Sequence, residues 1–472
     1  MLSLRGGHRQ CNGLHLLEAG LSAISSERDG LAPAPRLRVT IALSLATAMT
    51  VVAQHIVNAG LPQIAIDFAA SNAEAVAIVT SYQLTLAVLV LPLAKLGERV
   101  GFRAIFLGGV AVLVGASIGC ALARDLLTLV VLRGVQGAGA AGVLGVTAAL
   151  YRLTFPSARF GEGLAVHAAT VAVSQVLGPG LAGGVLALAG WPWLFLIFVP
   201  LGLAAVLVGA RDLPHNAEGA AASLPSALLF GLAWCLFLIA FVSISHGESP
   251  VIVAAQALGA IALGWIYLRR DGGRGDGAFL PLGLFRRCEF SAPMLASALN
   301  FIAQMMVIVG APFLLRDVYA LAPASIALAM LGWALASLAA VPVVQTVGRG
   351  LPLAPFSAAG VAIATVAIGL MGAAAWPLEA VVGLLCACGF GLSMFHIPNN
   401  RMIMMSAPDA QIGAASGLIG AVRLGGQTIG AAFAALCFAS GASPRTAILI
   451  AAAFCALAVV ASLICRRGAA PG

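Results

Sequence analysis

Apolar residues run along this chain in long blocks, without the strict alternation of a half-buried strand or the one-sided spacing of a soluble amphipathic helix. Each block holds about 20 residues, enough for a helix to cross a hydrocarbon core roughly 30 Å thick. The blocks fall at 38–61, 75–96, 102–123, 126–151, 164–189, 193–210, 227–244 and 251–268, and again at 294–315, 324–347, 354–375, 380–403, 414–438 and 447–464. They predict an all-α membrane protein with about 14 transmembrane helices.

The basic residues between the blocks supply an orientation. With the N-terminus inside, 20 of the 25 Lys and Arg fall on one side: Arg5, Arg9, Arg28, Arg36, Arg38, Lys95, Arg99, Arg103, Arg152, Arg159, Arg211, Arg269, Arg270, Arg274, Arg286, Arg287, Arg349, Arg401, Arg466 and Arg467. Arg124, Arg316 and Arg445 fall on the other, and Arg133 and Arg423 lie within spans. The positive-inside rule therefore puts both termini in the cytoplasm.

Composition narrows the function classes. Of the 472 residues 61% are hydrophobic and 9% charged, against about a quarter charged in soluble domains. No loop is long enough to bury a soluble enzyme or nucleic-acid-binding core, so the net charge of +8 reflects topology and no nucleic-acid partner is expected. The nine cysteines form no CxxC and no Cys/His cluster, which argues against a metal site. No nucleophile, base and orienting acid gather in any segment, so neither catalysis nor a cofactor is expected. Residues 1–37 are polar and read as a cytoplasmic tail without a signal peptide, and 269–293, rich in Gly and Arg, as a cytoplasmic linker. Lys95 is the single lysine amid abundant Ala, Gly and Arg, a composition suited to a GC-rich bacterial genome and hence to the bacterial cytoplasmic (inner) membrane.

Several motifs lie at defined places along these helices. Between the second and third, Leu93-Ala-Lys-Leu-Gly-Glu-Arg-Val-Gly-Phe-Arg103 resembles the GxLxDRxGRR loop of the major facilitator superfamily, with Arg99, Gly101 and Arg103 matching and Glu98 replacing the aspartate. In the fourth, Arg133-Gly-Val-Gln-Gly-Ala-Gly-Ala-Ala141 matches that superfamily's RxxQGxGAA at every specified position, Gln136 included. In the fifth, Ser174-Gln-Val-Leu-Gly-Pro-Gly-Leu-Ala-Gly-Gly184 resembles the antiporter signature GxxxGPxxGG, centred on Gly178-Pro179. Ile56-Val-Asn-Ala-Gly-Leu-Pro62, Trp191 to Gly202, Pro398 to Arg401, Gly413 to Gly417 and Arg423-Leu-Gly-Gly426 narrow the likeness to the fourteen-helix drug:proton antiporters.

The resemblance implies two six-helix halves, 38–210 and 294–472, with two inserted helices and the linker at 211–293. It further implies alternating access to a midplane site, driven by the proton gradient, and export of small amphipathic compounds. Glu98, Arg99, Gly101 and Arg103 would latch the two halves, and Gly178, Pro179 and Arg423 would shape the moving helices. An importer or uniporter of a metabolite, or a non-transporting sensor on the same fold, stays open, as does any periplasmic adaptor.

One departure from the family matters for coupling. Ala53 stands where the family commonly has an aspartate, and no Asp or Glu falls in mid-span. His55, Asn58, Arg133, Gln136 and Gln304 are therefore the expected proton or substrate pathway, with His167 and His396 less favoured. The pathway should be neutral or positive, which suits neutral or anionic amphipaths better than cations. His55 lies seven residues before Pro62 and Arg133 eight after Asp125, so both sit about 10–12 Å below the outer surface. That matched depth predicts a His55–Arg133 pair in which the arginine tunes the proton affinity of the imidazole.

The charge asymmetry predicts that a cysteine at Gly247 reacts with a membrane-impermeant reagent in intact cells and one at Gly272 does not. Labelling at Gly272 from outside would reverse the assigned topology.

Overall fold

A backbone in hydrocarbon has to satisfy its own hydrogen bonds, and a helix does so within one segment. In the computed structural model, which describes residues 30–215, 224–245, 247–271, 282–408 and 411–464, all regular structure among the described residues is helical. Thirteen helices are long and apolar enough to cross a membrane, and a shorter apolar one, Trp193–Gly209, completes the expected set. In chain order they are α1 (Pro33–Asp67), α2 (Asn72–Val100), α3 (Phe102–Ala121), α4 (Leu126–Thr154), α5 (Phe160–Leu188), α6 (Trp193–Gly209) and α7 (Leu224–Ser245). They continue as α8 (Pro250–Asp271), α9 (Cys288–Tyr319), α10 (Pro323–Thr346), α11 (Leu353–Ala373), α12 (Leu378–Ser406), α13 (Ile412–Ala439) and α14 (Pro444–Ile464). Arg5, Arg9, Arg28, Gly272, Arg274, Arg466 and Arg467, and the Arg349 side chain, lie outside the described residues.

Two boundaries differ from expectation. The N-terminal tail gives way to helix at Pro33, because proline tolerates the first helical turn, where its missing N–H is not needed. The Leu31 amide also donates to the Thr154 carbonyl at 3.0 Å, tying this entry to the end of α4. The linker is likewise shorter than expected: α8 runs to Asp271 and α9 starts at Cys288. Hydropathy finds only the part of a helix that lies in lipid, and polar turns continue beyond it.

Helices α1–α6 pack among themselves, as do α9–α14, and the two halves meet along α2 with α13 and α5 with α10. Helix α7 bridges α2 and α13, while α8 packs on α7. The outer faces are apolar, with Leu188 91%, Leu207 83% and Val251 77% exposed. Such exposure is favourable only against lipid.

Without a hydrophobic drive between helices in lipid, close contact has to come from small residues. A methyl on Gly137 would sit 2.5 Å from the Tyr82 carbonyl oxygen of α2, and one on Gly139 2.6 Å from the Leu113 amide of α3. The second half repeats the device, since a methyl on Gly391 of α12 would sit 2.6 Å from the Gly360 carbonyl of α11. Between α2 and α3 the turn is the single residue Gly101, whose φ of +102° is strained for any other residue type.

At the end opposite the basic loops, Arg316 of α9 joins the halves. It donates to the Pro62 carbonyl at 3.2 Å and to Asn72 Oδ1 at 3.0 Å, while its own neighbour Asp317 accepts at 2.6 Å. At the basic end Arg38 holds Asp212 by hydrogen bonds of 2.6 and 3.2 Å, keeping that carboxyl below the usual carboxylate range.

Gly137→Val should lower stability by about 1–3 kcal/mol or more, because backbone has to move to admit the side chain. Gly184→Ala, where nothing lies within 4 Å, should be neutral in the same thermal-unfolding measurement. Equal melting temperatures would refute the close-packing account of the fourth-helix motif.

Candidate substrate cavity between the halves

The helices of both halves surround a cavity of about 510 Å³, within the range that holds drug-sized ligands. Helical spacing brings polar side chains to it in sets. Gln54, His55 and Asn58 come from α1, His167 and Gln175 from α5, and Gln304 from α9. Ser337 comes from α10, Ser393, His396 and Asn400 from α12, and Arg423 and Gln427 from α13. His396 with Asn400, and Arg423 with Gln427, are spaced at i and i+4, one turn apart on the same face. Phe301, Ile308, Met330, Trp333, Leu338 and Val341 make an apolar wall. Among the described residues no Asp or Glu lines the cavity.

The hydrogen bonds define what each group offers. His55 Nδ1 lies 2.9 Å from the Val51 carbonyl, which can only accept, so Nδ1 carries the proton and Nε2 is a free acceptor. Asn300 Nδ2 donates to His396 Nε2 at 3.1 Å, which leaves the neutral ring's proton on Nδ1. His396 also stacks on Phe301, with centroids 4.5 Å apart and planes at 20°. Asn58 Oδ1, His167 Nδ1, His396 Nδ1, Asn400 Oδ1 and Gln427 Oε1 are buried without a hydrogen-bond partner, and all five belong to residues lining this cavity. An unsatisfied buried polar atom costs about 1–3 kcal/mol, so their concentration here marks a place completed by a bound molecule or water.

The motifs of the first half agree with a wider relationship. The Major Facilitator Superfamily profile matches residues 43–226. The protein called Uncharacterized transporter YebQ, from Escherichia coli (strain K12), is 33% identical over 93% of this chain and 96% of its own length. The chain belongs to the major facilitator superfamily. Riboflavin transporter RibZ of Clostridioides difficile (strain 630) is 26% identical over 85% of this chain and 88% of its own. The same fold is seen in a bacterial homolog to the human lysosomal transporter Spinster, in its inward-facing and unoccupied conformation. It has a TM-score of 0.67 at 14% identity, over 93% of this chain and 98% of that one.

Within this superfamily fold the candidate residues separate into groups. His55, Asn58, Gln304, Pro179 and Arg423 line the cavity, joined by His167 and His396. Arg133 and Gln136 are not among the lining residues, which corrects the expected His55–Arg133 pair. Arg133 is fully buried and donates to the carbonyls of Ile78 at 3.2 Å and Ala53 at 3.3 Å and to Gln136 Oε1. Its guanidinium carbon lies 4.3 Å from the Tyr82 ring centroid, and Gln136 donates on to Ser117 at 2.7 Å. The arginine thus ties together α1, α2 and α4. Equal depth along the membrane normal did not mean an equal direction around the helix. The charge that shares the cavity with His55 is Arg423, read from the sequence as a conformational residue.

Gly178 lies against His55, since a methyl there would come 3.0 Å from the His55 Cβ, and α5 continues through Pro179. In the basic-end loop Glu98 pairs with Lys95 at 2.7 Å and Arg103 donates to His215 Nε2 at 3.0 Å, while Arg99 is exposed. Trp333, Asn400 and Gln427 were not foreseen. Polar i, i+4 pairs inside apolar helices are the signal that finds the last two.

Arg133→Gln should reduce thermal stability by about 2–4 kcal/mol, since it removes the charge-assisted hydrogen bonds to the Ile78 and Ala53 carbonyls and the contact with the Tyr82 ring that join α1, α2 and α4. Arg423→Gln should leave the melting temperature near the parent's, because it removes no hydrogen bond. The reverse order of the two effects would overturn this division of roles.

Proposed function

We propose that this transporter exports small amphipathic compounds across the bacterial cytoplasmic membrane in exchange for protons. The observation that carries the reading is the cavity between the halves, lined by three histidines and an arginine without a carboxylate. A proton-coupled cycle needs a titratable group inside it, and histidine's unperturbed pKa of about 6.5 is the suitable one. His55 is the proposed carrier: its Nδ1 is held by the Val51 carbonyl and Nε2 is left to take the proton. The charged and titratable groups around it are His167 from α5, His396 from α12 and Arg423 from α13, with Arg133 behind it on the Ala53 carbonyl.

Alternating access is supported by the Arg316 links, which join the halves at one end as one state of such a cycle requires. Export is supported by the Gly178-Pro179 motif, whose glycine lets α5 lie directly on the His55 turn. Gly178→Leu should therefore abolish transport while leaving insertion intact. A metabolite carrier is the second reading, favoured by the similarity to RibZ.

Energised inverted membrane vesicles test the proposal with the neutral dye N-phenyl-1-naphthylamine. Accumulation that collapses with the pH gradient, with proton release on dye addition, is expected. His55→Gln should keep downhill dye exchange and lose the response to the gradient. Accumulation by His55→Gln at the parental rate would remove His55 as carrier, and equilibrating flux without accumulation would replace the exporter by a uniporter.

A further inference from the structure

Two cations within the spans, Arg133 fully buried and Arg423 partly so, have opposite surroundings. Arg133 is saturated by carbonyls, an amide and an aromatic face. Arg423 lines the cavity and makes no hydrogen bond or ion pair with any described residue. A guanidinium within a membrane helix is costly, and such residues ordinarily face a partner or a water-filled cavity. Among the described residues no Asp or Glu lines this cavity, and none pairs with Arg423.

A second donor stands in the same lining. Asn300 donates to His396 Nε2 at 3.1 Å, and its Oδ1 lies 3.7 Å from the Cys455 sulfur. His396 Nδ1 therefore carries a hydrogen, is buried, and has no acceptor. One turn along their antiparallel helices, and so one on each side of this pair, Asn400 Oδ1 and Gln427 Oε1 are buried acceptors without donors. The same cavity is lined by two aromatic rings, Phe301 with His396 stacked on it and the buried indole of Trp333.

We propose that Arg423 and His396 form an anion subsite, and that the compounds carried are planar ring carboxylates bearing a neighbouring hydrogen-bond donor. One carboxylate oxygen accepts from the Arg423 guanidinium and the other from His396 Nδ1–H. The ring lies along Phe301 and Trp333, and its hydroxyl or amino donor meets Asn400 or Gln427. The ligand so brings the charge that Arg423 lacks and the partners that the orphaned atoms lack. This rests on the reading of the cavity as the transport site, while being independent of the direction of transport.

Equilibrium binding to the full-length protein in lipid nanodiscs tests it, with three matched probes: 3-hydroxy-2-naphthoate, its neutral amide, and 2-naphthylmethylammonium. The naphthoate should bind at least about tenfold more tightly than the amide, and the ammonium least. Arg423→Gln should weaken naphthoate binding on the order of ten- to hundredfold and leave the amide nearly unchanged, with Arg423→Lys recovering part of the loss. His396→Gln should weaken the naphthoate by a smaller factor. If Arg423→Gln does not fold, Arg423→Lys and His396→Gln, checked by melting temperature, carry the same comparison. Equal affinity for naphthoate and amide, preference for the ammonium, unchanged naphthoate binding in folded variants, or no saturable binding at millimolar concentration would each overturn the subsite. Naphthoate binding without gradient-driven accumulation in the inverted vesicles would sink the exporter and leave the subsite standing.

Discussion

The cost of leaving a polar or charged group alone in hydrocarbon governs where every such group in this protein stands. Among the described residues, the carboxylates keep to helix ends and loops: Asp67 closes α1, Glu74 opens α2, Glu98 closes it and Asp317 lies two residues from the end of α9. Inside the spans the same cost is met in two ways. Arg133 is surrounded by acceptors from three helices and an aromatic ring, and so becomes part of the packing. Arg423, with the unpartnered atoms of Asn58, His167, His396, Asn400 and Gln427, is left at the cavity, where solvent or cargo can complete it.

The rigid parts and the site share this logic. Glycines bring α4 against α2 and α3, and α12 against α11, so that each half is held by backbone contact. The halves meet along α2 with α13 and α5 with α10, and Arg316 joins them at the end opposite the basic loops. Helix α7 has a different part, since it leans on α13 directly behind the cavity. A methyl on Gly425 would lie 2.3 Å from the Trp234 ring, so the indole occupies the notch that this glycine leaves two residues from Arg423. Helix α7 thus supports the arginine-bearing helix without lining the cavity itself.

Hydropathy and charge along the chain determined the number of helices, their order and their depth, because the bilayer sorts residues along one axis and leaves a one-dimensional record. They also placed no acid in mid-span, and the polar residues read from the spans include His55, Asn58 and Gln304, which line the cavity. The true lengths of α1 and α9 escaped this record, since a helix beyond the lipid no longer needs apolar residues. The direction each side chain faces around its helix was decided only by tertiary packing. Arg133 and His55 share a depth, yet Arg133 turns into the α1–α2–α4 contact, while Arg423, two hundred and ninety residues further along, reaches the same cavity as His55. Rotation about a helix axis is set by which glycines allow close approach and which neighbours accept a hydrogen bond, and these are properties of facing helices that no single segment contains.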